Sequence, residues 1–487
     1  MAERFVEVDR DTPMLLPADL RAWVPEDDLV HFVLEAVGSL PSGGFVVNER
    51  GSGHPQYPPL MMLALLIYCY ANGIFASRRI ERATYRDLGV RYLTGDTHPD
   101  HDTICTFRRE NVQLITKFFV RVLELARELK LLKVGTISVD GSRFKANASK
   151  HRGVSYQRSG QLIEQLEKDV AELLAKAEQA DSQGEIDPAK LPAEVTKPQE
   201  LKAKLEAARQ RLEERSRQEF AARVAEYEEH KGAWEKKQGR RGPEPQAPIE
   251  RGPDPKEQSN LTDPDSRIMR KSKNEAFCQA YNAQLAVDAE GSQLILGAHV
   301  RQSSADNNEL EPMLKAVSHN VGQKPQAVLA DRGYIHGPMI EQIQGQGIEA
   351  YVSVSAEAHE RRRYDLRSEK ERREKPRQYR AAVLVAMEQK LRTPEGRARY
   401  LRRQASVEPV FGIIKKVIGF EQFSLRGLQK VSLEWNLVCT AYNLKRLHKL
   451  LQPAEQKPKA AKTSKSTPGP LSELLGRLLG RFYPAFQ

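Results

Sequence analysis

At Thr136 the chain changes period. TISVD brings β-prone residues that end on an acid and are followed at once by Gly141, which reads as a strand stopping at Asp140 and turning. The strand pattern returns only in AYNAQLAVD from Ala280, a turn at AEGS, and LILGAHV, which together predict a hairpin. Then come a helix over NNELEPMLKAVSHN, a buried strand AVLAD ending on Asp331, a helix around GPMIEQIQ and a strand EAYVSV. The order β, β, β, α, β, α, β, α, antiparallel first and alternating afterwards, predicts an α/β fold: a mixed sheet covered by helices. Such a sheet must also tolerate whatever separates its first strand from its second.

That interruption, residues 157–265, has a composition of its own. LIEQLEKDVAELLAKAEQ and ELKAKLEAARQRLEERSRQEFAARVAEYEEH are rich in Leu, Ala, Glu, Lys and Arg, with Leu162, Leu166, Val170 and Leu173 at helical steps and a break near Ile186 to Pro198. They predict an antiparallel helical arm, and KKQGRRGPEPQAPIERGPDPKEQ after them reads as a flexible linker. A second insert, residues 356–398, carries HERRRYDLRSEKERREKPRQYR; it suits a phosphate-backbone contact as well as a solvated helix or loop. Before Thr136, Pro58 and Pro59 open an apolar helix closed by Asn72 and Gly73, and SRRIERATYRDLG supplies a second, basic one. Asp102 then serves as the N-cap of a further helical stretch. Residues 1–132 therefore form an all-α domain, 133–450 the α/β domain with its two inserts, and 451–487 a basic tail. Arg78, Arg79, Arg108 and Arg109 suit a DNA-docking helical module, with a plain bundle bearing solvated arginines as the alternative.

Composition narrows the partners. Lysine and arginine total 76 against 65 acids, for a net charge of +11, which favours polyanions, nucleic acid first. Four cysteines without CxxC pairing or histidines at ligand spacing argue against zinc and disulfides and for a reducing cytosol. LMMLALLIYCYA from Leu60 is shorter than the roughly 20 residues a membrane span needs, and reads as a core helix. The opening MAERFVEVDRDTPML has early acids and no apolar run, so no signal peptide is expected.

Asp140 and Asp331 both sit at strand ends, where α/β sheets gather ligands. A third acid, Glu408, lies in the helix YLRRQASVEPVFGIIKKV beside an apolar face of Val407, Val410, Phe411 and Ile414. Lys415, seven residues on, returns to nearly the same angle as Glu408. Three acids brought together repel one another unless a cation intervenes, and Mg2+ takes one or two carboxylates while keeping room for water and phosphate. Two such ions about 3.5 to 4 Å apart support in-line phosphoryl displacement. Arg143, Lys145, Arg332 and Lys415 are placed to hold a phosphodiester. Asp263 and Asp265 in LTDPDSR read as turn formers or outer partners of the site, and Asp288 as part of the hairpin turn.

RDTPMLLPADLRAWVPEDDLVHFV, SRRIERATYRDLGVRYLTGDTHPDHDTICTFRREN, VDGSRFKANASK, LTDPDSRIM, YNAQLAVD, ADRGY, VEPVFGIIKK and RGLQKVSLEWNLVCTAYNLKRLHKL carry a resemblance running to about Leu450. The chain resembles bacterial insertion-sequence transposases of the DDE class with an InsH-like N-terminal domain. The resemblance implies a ribonuclease H-like core with Asp140, Asp331 and Glu408 as both the catalytic and the metal-binding triad. It implies two Mg2+ ions, with Mn2+ as a substitute, and cleavage followed by strand transfer. The implied partners are double-stranded DNA, as element ends and as target, and a second copy of the chain in a homodimer or higher oligomer. The place of action would be the cytoplasm, at the nucleoid, with no membrane. Related enzymes carry Tyr-x2-Arg-x3-Glu-x6-Lys; Tyr400, Arg403, Glu408 and Lys415 match it with one extra residue between arginine and glutamate. On an ideal helix that extra residue turns Arg403 about 140° away from Glu408. A DNA-binding relic or regulator, or a ribonuclease H-like nuclease without transposition, are the alternatives.

Overall fold

A computed structural model describes residues 19–40, 45–46, 56–181, 191–236, 244–270, 274–354 and 381–452. Strand β1 (Thr136–Lys145) does not stop at Asp140 but runs on through Gly141. The reason is its neighbour: β5 (Cys278–Asp288) pairs antiparallel with it along its whole length, from Ile137 opposite Asp288 to Lys145 opposite Ala280. Between these strands come β2 (Gly153–Ser155), β3 (Gln258–Asn260) and β4 (Arg267–Met269), and after them β6 (Ile295–Arg301), β7 (Ala327–Ala330) and β8 (Glu349–Val352). β1 pairs parallel with β7, and β7 with β8. The main sheet runs β4-β5-β1-β7-β8, with β6 also on β5, so it is mixed as the element order requires.

The hairpin β5–β6 and the alternation beyond it match the expected pattern, with α9 (Leu310–Val321) and α10 (Gly337–Gly345) as crossovers. Among the described residues they are preceded in chain order by α1 (Leu29–Gly38), α2 (Pro59–Ala71), α3 (Ser77–Arg86), α4 (Leu88–Thr94), α5 (His101–Glu110), α6 (Val112–Glu128), α7 (Tyr156–Asp181) and α8 (Leu191–Lys236). Pro58 and Asn72 bound α2 as expected. The cap of α5 is Asp100 instead of Asp102, since its carboxylate accepts Thr103 N at 2.6 Å. After β8 come α11 (Ala382–Arg392), α12 (Pro394–Gly412), a π-helical turn (Ile413–Val417) and α13 (Leu428–Leu451). Residues 355–380, with most of the expected basic insert, and the expected tail from residue 453 lie outside the described residues.

Between Leu433 and Leu444 nearly every residue of α13 is buried, Glu434, Thr440 and Asn443 included, so the helix runs through the interior. It packs on α2, α6 and β6 together, so one hydrophobic cluster runs from Val30 in α1 through Phe118 in α6 to Trp435 and the sheet. Its N-terminus is held by Asp263, which accepts Gly427 N at 3.1 Å, and Asp265, which accepts Leu428 N at 2.9 Å. Carboxylates there complement the helix dipole, so these acids anchor a helix end as well as shaping their own turn. Asp288 is a turn acid, accepting from Glu290 N and from Ser292 N and Oγ.

α7 and α8 form the expected arm, standing on the small β2–β3 ribbon with a cluster of its own around Val154, Leu205 and Ala208. Residues 237–243 of the expected linker lie outside the described residues, and the part near α7 is not free: Pro255 and Glu257 carbonyls accept Gln157 N and Tyr156 N, and Arg215 pairs with Glu257 at 2.9 Å. Among the described residues no helix is long and apolar enough to cross a membrane.

Candidate active site

Parallel pairing places Val139 beside Ala330, so the next residues, Asp140 and Asp331, emerge side by side at the end of the sheet. Asp140 Oδ1 accepts its neighbour Gly141 N, and Asp331 Oδ1 accepts Gly333 N, each at 2.8 Å. Burial, and then the Asp331 charge, push the Asp140 carboxyl up to about 7. This corner therefore holds more negative charge than its own partners offset.

Glu408 reaches the corner from α12, whose Val407 and Val410 are buried against the sheet. Ser138 on β1 and Ser406 on α12 share a hydrogen bond of 2.7 Å that ties helix to strand. Arg403 lies between the acids: Nη1 donates to Asp140 Oδ2 at 3.2 Å and Nη2 to Glu408 Oε1 at 3.1 Å. Its side chain is 6% exposed, against 19% for Asp140 and 47% for Glu408, so the open side of the corner is at Glu408.

The ideal-helix angle thus misplaces Arg403, for two physical reasons. Arginine is long enough to cross the helix face toward a buried carboxylate. The intervening turn is also not ideal, because Pro409 cannot donate to the Ala405 carbonyl, which accepts Gln293 Nε2 at 2.8 Å instead. The π turn that follows carries Lys415. Lys415 Nζ donates to Ser142 Oγ at 2.6 Å and to the Arg143 carbonyl at 3.1 Å, and lies 4.5 Å from the Phe144 ring centre. Lys415 is therefore fastened to β1 just past Asp140.

The other expected residues divide. Arg143 donates to the Arg270 carbonyl, Lys145 is exposed at the end of β1, and Arg332 opens the turn after Asp331. Tyr400 packs against the cluster of Ala327, Leu329 and Tyr351. Arg78 and Arg79 are exposed on α3, next to Arg82, Tyr85 and Arg86, and Arg109 is exposed on α5. Arg108 corrects the expectation of a DNA contact. It is buried, donating to Tyr70 Oη at 2.9 Å and Ser77 Oγ at 3.4 Å, because its position on α5 faces α2 instead of solvent.

Sequence reasoning missed Gln284 and Asp306. Gln284 is fully buried; it receives the Tyr334 hydroxyl and donates to Asp306 Oδ1 at 2.6 Å. Burial and the charges of Asp306, Asp140 and Asp331 together raise the Tyr334 hydroxyl far above its ordinary value. A buried polar pair inside the otherwise apolar strand AYNAQLAVD was the available signal.

Among the described residues no three His, Cys, Asp or Glu side chains close on one point, since the Arg403 guanidinium stands between Asp140 and Glu408. The donor chemistry nevertheless fits a hard divalent cation: carboxylate oxygens only, with the Asp140 carboxyl raised by burial and then by the neighbouring Asp331 charge. Two family models match the chain, a transposase DDE domain over residues 249–444 and a transposase domain, DUF772, over residues 18–110. No curated protein and no solved structure matches.

Proposed function

Since the chain belongs with the insertion-sequence DDE transposases, by its DDE and DUF772 domains, we propose that it binds the inverted-repeat ends of a mobile element, cleaves them and joins them to target DNA. Asp140, Asp331 and Glu408 are the catalytic acids in this reading. What carries it is the convergence on one corner of two strand-end carboxylates in register and a helix carboxylate, linked to Asp140 through Arg403.

Asp140 and Asp331, with Glu408 from the helix, would hold the divalent cation, Mg2+ by preference. Bound there, the cation supplies Lewis-acid activation of the attacking oxygen and charge neutralisation at the leaving one. Arg403 compensates the Asp140 charge and positions Glu408. Lys415, fixed to β1, presents its ammonium next to the corner, where a phosphodiester running past Glu408 would meet it. Exposed Arg78, Arg79 and Arg109 contact the backbone of the element end. Synapsis of two ends requires at least two copies of the chain.

The test is to incubate the protein with Mg2+, a target plasmid and duplexes bearing the short inverted repeats that flank its reading frame. Cleaved ends covalently joined to the plasmid are expected. Cleavage without joining would assign a nuclease, and binding without cleavage a DNA-binding relic.

A further inference from the structure

Gln284 lies within β5, opposite Gly141 on β1, and is fully buried. In the sheet β1 runs between β5 and β7, so a β5 side chain that reaches the β7 side must pass over β1. Gln284 does so where Gly141 leaves room: a Cβ there would fall 2.9 Å from Gln284 Cδ and 2.9 Å from Asp306 Oδ1. On the far side its amide meets Tyr334, also fully buried, whose hydroxyl donates to Gln284 Oε1. The direction of that bond is set from the other end of the amide. A carboxylate only accepts, and Asp306 Oδ1 takes Gln284 Nε2 at 2.6 Å and Asn282 Nδ2 at 2.7 Å. The amide therefore turns its NH2 toward Asp306 and its carbonyl toward Tyr334.

Both ends of this bond adjoin the candidate catalytic acids. Gly141 follows Asp140, and Tyr334 closes the short turn that Asp331 opens, its N donating to the Asp331 carbonyl at 3.3 Å. The parallel ladder of β1 and β7 ends at Val139 and Ala330, one residue before each acid, so it does not itself fix the Asp331 turn. Resting on the transposase reading above, we propose that Gln284 and Tyr334 are positioning residues for cleavage: their bond, crossing β1 above Gly141, holds the Asp331 turn beside Asp140. Asp306 and Asn282 orient the amide that makes it. Removing the Tyr334 hydroxyl leaves the ring packing in place but strands Gln284 Oε1 and releases the turn.

The test compares the full chain as wild type, Tyr334→Phe, Gln284→Met and the double variant, with circular dichroism to verify folding. Hydrogen exchange read by mass spectrometry follows residues 331–336 without DNA or metal, and Mg2+-dependent cleavage of the inverted-repeat duplexes gives kcat and KM. Both single variants should exchange faster over 331–336, with kcat lowered about tenfold or more and KM within about twofold of wild type. The double variant should be no slower than the slower single one, because both changes break the same bond. Should Tyr334→Phe not fold, Gln284→Met decides by the same readings. Unchanged exchange over 331–336, or wild-type kcat in the folded single variants, would overturn the positioning role, and cleavage by the wild type would leave the transposase reading standing. Losses of kcat that multiply in the double variant would overturn it as well, since two independent packing defects behave that way. No cleavage by the wild type would overturn the transposase reading and the role in cleavage with it, even where exchange shows the turn tethered.

Discussion

Arg403 and Arg108 both bury a guanidinium, to different ends. Arg403 compensates two acids of the candidate site, whereas Arg108 joins Tyr70 on α2 to the charge of Glu434 on α13. Glu434 is itself buried and accepts Ser424 N and Leu425 N. Replacing Arg108 by Met would leave Glu434 without its counter-charge, so about 3–5 kcal/mol of stability should be lost. Chemical denaturation measures this, and end affinity of the still-folded protein should be unchanged. Gly141 is the second residue of consequence. As a glycine after an acid it reads as a turn, yet it lies inside a strand, where its missing Cβ makes room for Gln284 and Asp306. Gly141→Ala should cost about 1–3 kcal/mol through overpacking, read as a lower Tm, while the same change at Gly252, where a Cβ meets nothing and φ is not positive, should cost less. Asp140 and Asp331 were legible because each ends an apolar strand run. Asp306 was not, because its place depends on amides from a strand that only the folded sheet brings beside it.

At the scale of elements, α3 makes the clearest case for a DNA surface. Its buried side is Ile80, Ala83 and Thr84, and the opposite side exposes Arg78, Arg79, Arg82 and Arg86 with Tyr85 stacked 3.8 Å from His98. Arg78→Ala and Arg79→Ala should each lower end affinity and reduce the slope of log K against log salt by about 1, with stability within roughly 0.5 kcal/mol of wild type. A salt slope unmoved by both would remove α3 from the interface. The arm behaves as an attachment: its small cluster around Leu205 is separate from the main core. Deleting residues 161–229 should leave the main thermal transition in place, and oligomer size measured by light scattering would show whether the arm joins copies of the chain. Strands and crossover helices were readable from period and turn residues, since both signals are local. The π turn after α12 and the Arg403 reach were not, since they follow from Pro409 and from a carboxylate on another element.

Across the whole molecule, the all-α segment and the sheet do not have separate cores. α13 packs against α2 and α6 on one side and β6 on another, and Lys445 Nζ donates to the Ala71 carbonyl at the end of α2 at 2.8 Å. The N-terminal helices and the sheet should therefore unfold in a single calorimetric transition, and two well-separated transitions would contradict this shared core. Sequence suggested a boundary near residue 132 because the period changes there, but period reports on local conformation, not on which face meets which. The shared core also joins the basic α3 surface and the carboxylate corner to one packed unit, which is what the proposed holding and cutting of a DNA end requires. The most direct test of that account is the rate of Mg2+-dependent end cleavage by Asp140→Asn, Asp331→Asn and Glu408→Gln, measured beside their affinity for the uncut end. Cleavage should fall at least a thousandfold in each while end affinity stays within a few fold of wild type. Cleavage persisting near the wild-type rate in any one of the three would contradict it.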